Sequence, residues 1–335
     1  MKQGLKKPSV FKKLNIPGIT YGLVLLFILF SILRPTKFLT AFNMMLILRN
    51  SAVLLVASIG MTMVILSSKN DMSIGAVVSL SGVIAATCVS RGMPIFLAVL
   101  IAMAAGVAVG FLNGVLIAYF NFDFWITTFG TMGVGAGLAL VVAGGATVQT
   151  GSDTFGQFGN AKVGGVYVML WFTVILIAVM MFVLRRTKFG YAIYSIGGSE
   201  QSARLSGVNV LKNRIAIYMC SGLFASVAGL MLASMSNSAS PIAGADYSFD
   251  AIAAVVIGGT SFDGGKGGLG GTVLGVLLLR TLASGLNLLG VASTWQKAII
   301  GLVIVSIIVA QVAGENVKKK NESRRLYAEI GRAHV

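Results

Sequence analysis

Between residues 18 and 313 the sequence is a succession of apolar runs, each near the roughly 20 residues that carry a helix across the hydrocarbon core of a bilayer. The run 94–118, PIFLAVLIAMAAGVAVGFLNGVLIA, holds no charged side chain. Lipid offers no hydrogen bonds to a backbone, so runs of this kind are confined to structures that pair their own N–H and C=O groups, and a helix does so within each segment. Composition agrees, with 56% hydrophobic residues, 11% charged residues and a mean hydropathy of +0.89. The predicted fold class is all-α: a polytopic membrane protein of about ten transmembrane helices.

The spans are predicted over 18–33, 44–67, 73–90, 94–118, 125–145, 165–184, 214–236, 249–262, 268–289 and 296–313. With the N-terminus in the cytoplasm, Lys2, Lys6, Lys7, Lys12, Lys13, Lys69 and Lys266 fall inside, with Arg185, Arg186, Lys188, Arg204, Lys212, Arg214 and the tail from Lys318. Only Arg34, Lys37, Arg91 and Lys162 fall outside. This is the positive-inside asymmetry. The formal charge of +16 therefore reports topology, and no nucleic-acid partner is expected. The organisation becomes a basic cytoplasmic N-terminus (1–17), spans one to six (18–184), a cytoplasmic loop (185–213), spans seven to ten (214–313) and a cytoplasmic tail (314–335).

The basic start MKQGLKKPSVFKKLN runs into 18–33 without a small-residue cleavage site, so that run is expected to remain as the first span. Residues 329–335, EIGRAHV, look foreign to the rest, match one reading frame of a common sequencing adapter and are expected to be artefactual.

Glycines recur every four residues at Gly106, Gly110 and Gly114 and at Gly267, Gly271 and Gly275. Small residues at this spacing let helix backbones approach closely in lipid. The glycine-rich pieces FGTMGVGAG (129–137) and VVIGGTSFDGGKGGLGG (255–271) are candidates for broken or re-entrant helices as well.

Enzyme chemistry lacks its parts. The sole histidine, His334, sits in the foreign tail, and Cys88 and Cys220 lie in apolar runs as packing residues, so no catalytic residue and no metal ligand is predicted. The one Gly-Lys pair, Gly265-Lys266, is followed by Gly267, which excludes a phosphate-binding loop. No cofactor is expected on this chain. If it pumps, ATP is hydrolysed by a partner.

One polar stretch, residues 190–214, interrupts the apolar pattern at length. It reads as a short helix with Ser199 as N-cap, Glu200 and Gln201 in the first turn and Gly207 at the end. By pattern alone it is either a solvated connector or a docking element.

FGYAIYSIGGSEQSARLSGVNV (189–210) resembles the cytoplasmic coupling loop of permease subunits of ATP-binding cassette importers of the ribose, xylose and simple-sugar type. LSSKNDMSIGAVVSLSGVIAA (66–86), FWITTFGTMGVGAGLAL (124–140) and the stretch 250–305, with AIAAVVIGGTSFDGGKG and GLNLLG, resemble the same family in the same order. The likeness runs from about Phe38 to Gln311, and branched-chain amino-acid permeases share the architecture with different text in the last stretch. It implies a coupling helix between spans six and seven, on which Ser199, Glu200, Ala203, Arg204 and Gly207 dock a cytoplasmic ATP-binding cassette ATPase. It also implies a second permease subunit, identical or homologous, an extracytoplasmic solute-binding protein, and residence in the inner (plasma) membrane.

Asp71 and Ser73, in KNDMSIG, match the Gly-Ile-Asp-Leu-Ser-Val-Gly stretch of the sugar permeases. They serve equally as caps for the third span or as pathway residues. Lys69 and Asn70 depart from that stretch, and a Lys69–Asp71 interaction is expected there. Asn113, Thr127, Thr128 and Asn287 are neutral hydrogen-bonding groups, fit for interhelical contacts or for a sugar's hydroxyls. Asp246 and Asp250 fall at the outer connection between spans seven and eight, as solvated groups or as contacts for the binding protein. Arg280 lies near the middle of the ninth span, where the sugar permeases carry an uncharged residue. An Arg there is costly unless paired or facing water, so it is a candidate pathway residue, pairing with an acidic residue or attracting a solute that bears negative charge. Arg49 is expected to snorkel.

The expected function is the permease subunit of an ATP-driven importer of a ribose-like sugar. A furanosyl signal molecule or nucleoside as cargo, an ion-coupled carrier working alone, and a channel or structural protein are the alternatives.

Overall fold

The computed structural model describes residues 18–303 together with 305, 306 and 309. The basic segment 1–17, the end of the predicted tenth span and the tail with 329–335 lie outside the described residues.

The helices are α1 (Gly18–Leu33), α2 (Ala41–Leu66), α3 (Ile74–Ser90), α4 (Ile95–Ala118), α5 (Phe124–Ala143), α6 (Asp153–Asn160), α7 (Val168–Arg186), α8 (Lys188–Gly198), α9 (Glu200–Leu205), α10 (Val210–Ser236), α11 (Tyr247–Ile257) and α12 (Leu269–Leu288). A further helical stretch starts at 293. Six of them, α2, α4, α5, α7, α10 and α12, are long and apolar enough to cross a membrane, and α1, α3 and α11 are shorter apolar helices. The protein is a mostly helical, polytopic membrane protein.

The helix ends follow from side chains that supply what the first-turn amides lack. Thr40 caps α2 by accepting the Asn43 amide, Asp123 caps α5 through Trp125 and Ile126, and Asn209 caps α10 through Lys212. Among the described residues, strand structure is confined to two small pairings. β1 (Val148–Gln149) runs antiparallel to β4 (Ser238–Ala239), and β2 (Lys162–Val163) to β3 (Val166–Tyr167). In the second, Gly164 and Gly165 both take positive φ, +61° and +79°, as a two-residue hairpin turn requires.

α10 is the central post. It packs on α2, α3 and α4 along the bundle and on α6 at one end, while α4, α5 and α7 turn most of their apolar surface outward, where lipid belongs. The glycine stripes act where α10 meets α4. A side chain added at Gly106, Gly110 or Gly114 would run into the backbone of Gly222, Tyr218 or Ile215. Gly271 and Gly275 meet Gly258 and Ala254 of the α11 side in the same way, but Gly267 stands outside α12, in the turn before it. The 129–137 glycines do not break a helix, because α5 is continuous across them. The 255–271 stretch does break, between the end of α11 at Ile257 and the start of α12 at Leu269.

One end of the bundle gathers the turn after α2, the start of α5, the loop between α7 and α10 and the turn between α11 and α12. Ser68 Oγ contacts the carbonyls of Gly197 and Asp263, the Gly265 amide donates to Leu66, and Trp125 stacks on Phe262. Lys69, Lys188, Arg204 and Lys266 belong to these segments, and Arg185, Arg186, Lys212 and Arg214 to the adjoining ends of α7 and α10. Arg34, Lys37, Arg91 and Lys162 belong to the connections at the opposite end.

Arg49 reaches the end of the bundle where α6 and α10 terminate. Its guanidinium donates to Asn160 Oδ1 and to the carbonyls of Gly159 and Met235, over the Tyr167 ring at 4.5 Å. The charge is spent on carbonyls left open where α6 and α10 end.

Candidate functional site

Two connections reach toward the middle of the bundle. Asp71, in the turn before α3, meets Ser221, which lies eleven residues into α10. At 1.5 Å per residue that is about 17 Å from the start of α10, close to half the thickness of a bilayer core. From the other end, the 237–246 segment brings Ser248 to the same place. Its Oγ accepts the Gly75 amide at 2.8 Å and donates to the Met72 carbonyl at 2.7 Å, while Ser79 accepts the Gly244 amide at 2.8 Å. α3 and α11 thus both begin at mid-depth, and irregular backbone at that depth is tolerated because protein surrounds it.

Around the start of α3 lies a continuous polar chain. Asp71 Oδ1 accepts from the Ser73 amide at 3.0 Å and the Ser73 hydroxyl at 2.6 Å, and Oδ2 accepts from Ser221 at 2.7 Å. Ser73 Oγ in turn accepts from Asn113 Nδ2 at 2.9 Å, and Asn113 Oδ1 accepts from Thr131 at 2.8 Å. Tyr218, fully buried, donates to the Asn70 carbonyl at 2.9 Å. Asp71, Ser73, Asn113 and Ser221 are each 2% exposed or less. The Asp71 carboxylate is held by hydroxyl and amide donors, with no ion pair to it among the described residues.

One expectation changes here. Lys69 does not pair with Asp71; its ammonium sits 4.8 Å from the Phe124 ring centroid, because the carboxylate points inward and the lysine outward. Ser73 occupies the N-cap position of α3 without a side-chain cap bond, having turned its hydroxyl to Asp71, and Ser248 of α11 satisfies the Gly75 amide instead. Ser221, Thr131 and Ser248 were not legible as partners, since single Ser and Thr residues inside apolar runs carry no spacing signal.

The side chains of the other neutral candidates make no bond to this polar chain, although Thr131 also donates to the Thr128 carbonyl at 3.1 Å. Thr127 and Thr128 donate to carbonyls of their own helix, Asp123 and Phe124. Asn287 is exposed near the end of α12, where its Oδ1 accepts from Gln296.

Arg280 finds an acidic partner: Nη2 lies 3.2 Å from Asp250 Oδ2, and the guanidinium carbon is 5.7 Å from the Tyr247 ring centroid. Asp250 is thus not a solvated outer group. Asp246, at the start of α11, pairs with Lys297 at 2.8 Å, and both side chains are exposed.

The 185–214 loop holds two helices where one was expected. α8 starts under the Thr187 cap and packs Ile193 and Ile196 inward, and α9 follows under Ser199, which accepts the Ser202 amide at 3.2 Å. Glu200 bridges two arginines, Arg204 at 2.7 Å and Arg214 at 2.8 Å. Partial burial works against the Glu200 charge, but the hydrogen bonds and charges of Arg204 and Arg214 outweigh it and hold the carboxyl below the ordinary glutamate range. Ala203 is buried against Ile196 and Val210, and Gly207 turns the chain with φ +82°. α9 is thereby fixed on α8 and on the base of α10, with Arg204 and Leu205 outward.

The chain matches, over residues 43–308, the family described as branched-chain amino acid transport system / permease component. It is 40% identical over 292 residues to the ribose import permease protein of Escherichia coli, covering 86% of this chain and 91% of that one. The ribose import permease protein of Bacillus subtilis is also 40% identical, over 87% of this chain and 91% of its own. The D-allose transport system permease protein of Escherichia coli is 33% identical, over 87% and 90%. No solved structure matches.

Proposed function

The chain belongs to the family of transport-system permease components, and from that premise we propose that it is the membrane permease subunit of an ATP-driven sugar importer of the ribose type. It is a transport protein of the multi-pass inner membrane, not an enzyme. The observation that carries the sugar reading is the 40% identity to ribose import permeases across about nine tenths of their length. A furanosyl signal molecule or nucleoside as cargo, or an ion-coupled carrier, finds no such support.

In this reading ten spans cross the membrane, the basic end faces the cytoplasm, and two permease chains enclose the path. A solute-binding protein delivers sugar from outside. Beneath, Ser199, Glu200, Ala203, Arg204 and Gly207 form the docking element for a separate ATPase. A short helix clamped at both ends carries a push without deforming, so closure of the ATPase pair becomes a rocking of α8 and α10 against the rest of the bundle. The Asp71–Ser73–Asn113 chain stands at the closed, mid-depth section, with Thr127 and Thr128 beside it on α5 and Arg280 and Asn287 on α12. Hydroxyls and amides suit a neutral sugar, which must exchange water for partners of the same kind.

Reconstitution tests this. The purified chain with its ATPase and binding protein in liposomes should accumulate D-ribose or a related monosaccharide only when ATP is present, and the chain should copurify with the ATPase until the 190–214 loop is altered. Uphill accumulation by the chain alone would overturn the reading.

A further inference from the structure

The Arg280–Asp250 pair is not accounted for by folding. Arg280 is the twelfth residue of α12, about 17 Å from its start and so at mid-depth. Charges at that depth are expensive against lipid and face a cavity, water or protein. A buried ion pair is often no better for stability than apolar packing of the same volume, so stability alone is a weak reason for one here. The Arg280 and Asp250 side chains keep 22% and 27% of their surface open, and the guanidinium makes one hydrogen bond to a described residue, through Nη2. Its Nε is buried without a partner among the described residues. The Tyr247 ring lies against the guanidinium and holds the fork in place.

Resting on the sugar-permease reading, we infer that Arg280 and Asp250 together line the water-filled path and read the hydroxyls of the passing solute. A guanidinium fork beside a carboxylate sets donors next to an acceptor. Two neighbouring hydroxyls on a sugar ring present the complement, one accepting and one donating. The pair is neutral overall, so it favours uncharged polyols over sugar acids, and removing either partner shifts that preference: Asp250→Asn leaves a positive path, Arg280→Gln a negative one.

The first test is access. In a Cys88→Ser, Cys220→Ser background, Arg280→Cys and Asp250→Cys are treated in membranes with a charged, membrane-impermeant methanethiosulfonate and, separately, with lipid-soluble N-ethylmaleimide. Reaction of both positions with the charged reagent is the expected result. Reaction with neither reagent would put them against lipid or in a sealed protein contact, where the thiolate does not form, reaction with the maleimide alone would put them in a crevice closed to charged solutes, and either outcome overturns the inference. The second test uses the complete assembly in liposomes. Asp250→Asn and Arg280→Gln should each lower ATP-driven D-ribose uptake about tenfold, the worth of one hydrogen bond to the solute. They should move competition by ribonate in opposite directions, up for Asp250→Asn and down for Arg280→Gln. Equal uptake and equal competition in both variants would overturn it. If the unsubstituted assembly imports no sugar while position 280 still labels with the charged reagent, the sugar reading fails and the water path stands.

Discussion

The Asp71 carboxylate accepts the Ser221 hydroxyl at 2.7 Å, tying the turn before α3 to the middle of α10. Three donors converge on this group, from Ser73 and Ser221, and the donors rather than a cation keep it satisfied. What the site requires is an acceptor pair of that shape. Asp71→Asn keeps one acceptor oxygen for Ser73 and offers Ser221 a donor, so it should fold within about 1 kcal/mol of the parent. Asp71→Ala strands buried hydroxyls and an amide and should cost about 1–3 kcal/mol. Thermal unfolding in detergent, followed by loss of the monodisperse chromatographic peak, checks the order Asn above Ala.

Backbone contact between α4 and α10 gives a second test. A side chain at Gly110 would collide with the backbone of Tyr218, and neither helix can yield without parting from the other. Gly110→Val is expected to destabilise by about 1–3 kcal/mol or more, the usual cost of overpacking. Gly133 on α5 has open space around it and lies inside a continuous helix, so Gly133→Ala should leave the melting temperature unchanged or raise it slightly, by the helix propensity of Ala over Gly. A melt that shifts equally in both would contradict the packing.

How much of this was readable beforehand differs by feature. Apolar runs and the sidedness of Lys and Arg are collective signals, carried by many residues, and the helices and the basic end follow them closely. The eighth predicted span extends to 262, but α11 stops at Ile257, because the glycines at 258 and 259 end a helix that apolar content alone would extend. α6 and the two strand pairs went unread, since elements of two to eight residues are fixed by tertiary contact. For the site, Asp71, Ser73 and Asn113 stood out as rare polar residues among apolar ones. Their bonds to Ser221, Thr131 and Ser248 depend on which helices meet, and a single sequence does not say. Arg280 was conspicuous for the same reason as Asp71, while its partner Asp250 looked like a loop residue until α11 proved to begin at mid-depth.

Glu200 makes the loop pH-sensitive in a defined direction. Its carboxyl sits below the ordinary value of 4.5, so the folded state binds this proton less readily than the unfolded one. The stability it contributes is fully present above about 4.5 and is lost as pH falls through the lowered folded value. At neutral pH the loop should be insensitive to small pH changes. Glu200→Gln removes the charge at all pH values and leaves Arg214, 8% exposed, without its carboxylate. With Glu200 itself 37% exposed and screened by water, the cost should be about 1 kcal/mol. Hydrogen exchange of amides 199–210 reads both effects: faster exchange in Glu200→Gln at pH 7, and no difference from the parent once the parent's own carboxyl is protonated.

Gly207 separates backbone geometry from side-chain contact in the docking element. It takes φ +82°, its amide donates to the Arg204 carbonyl at 3.0 Å, and a Cβ added there would meet nothing within 4 Å. Any effect of substitution therefore comes through the chain's path out of α9, not through a clash. Asn tolerates left-handed backbone, Ala pays about 1–2 kcal/mol for it, and Pro can neither reach that φ nor donate the hydrogen bond. ATP-driven uptake by the assembly should fall in the order Gly, Asn, Ala, Pro, with insertion and yield unchanged, since the position lies outside the packed spans. Copurification of the ATPase should fall in the same order. Uptake by Gly207→Pro equal to that of the parent would mean that the exit from α9 carries no force, and the coupling role of the loop would have to move elsewhere.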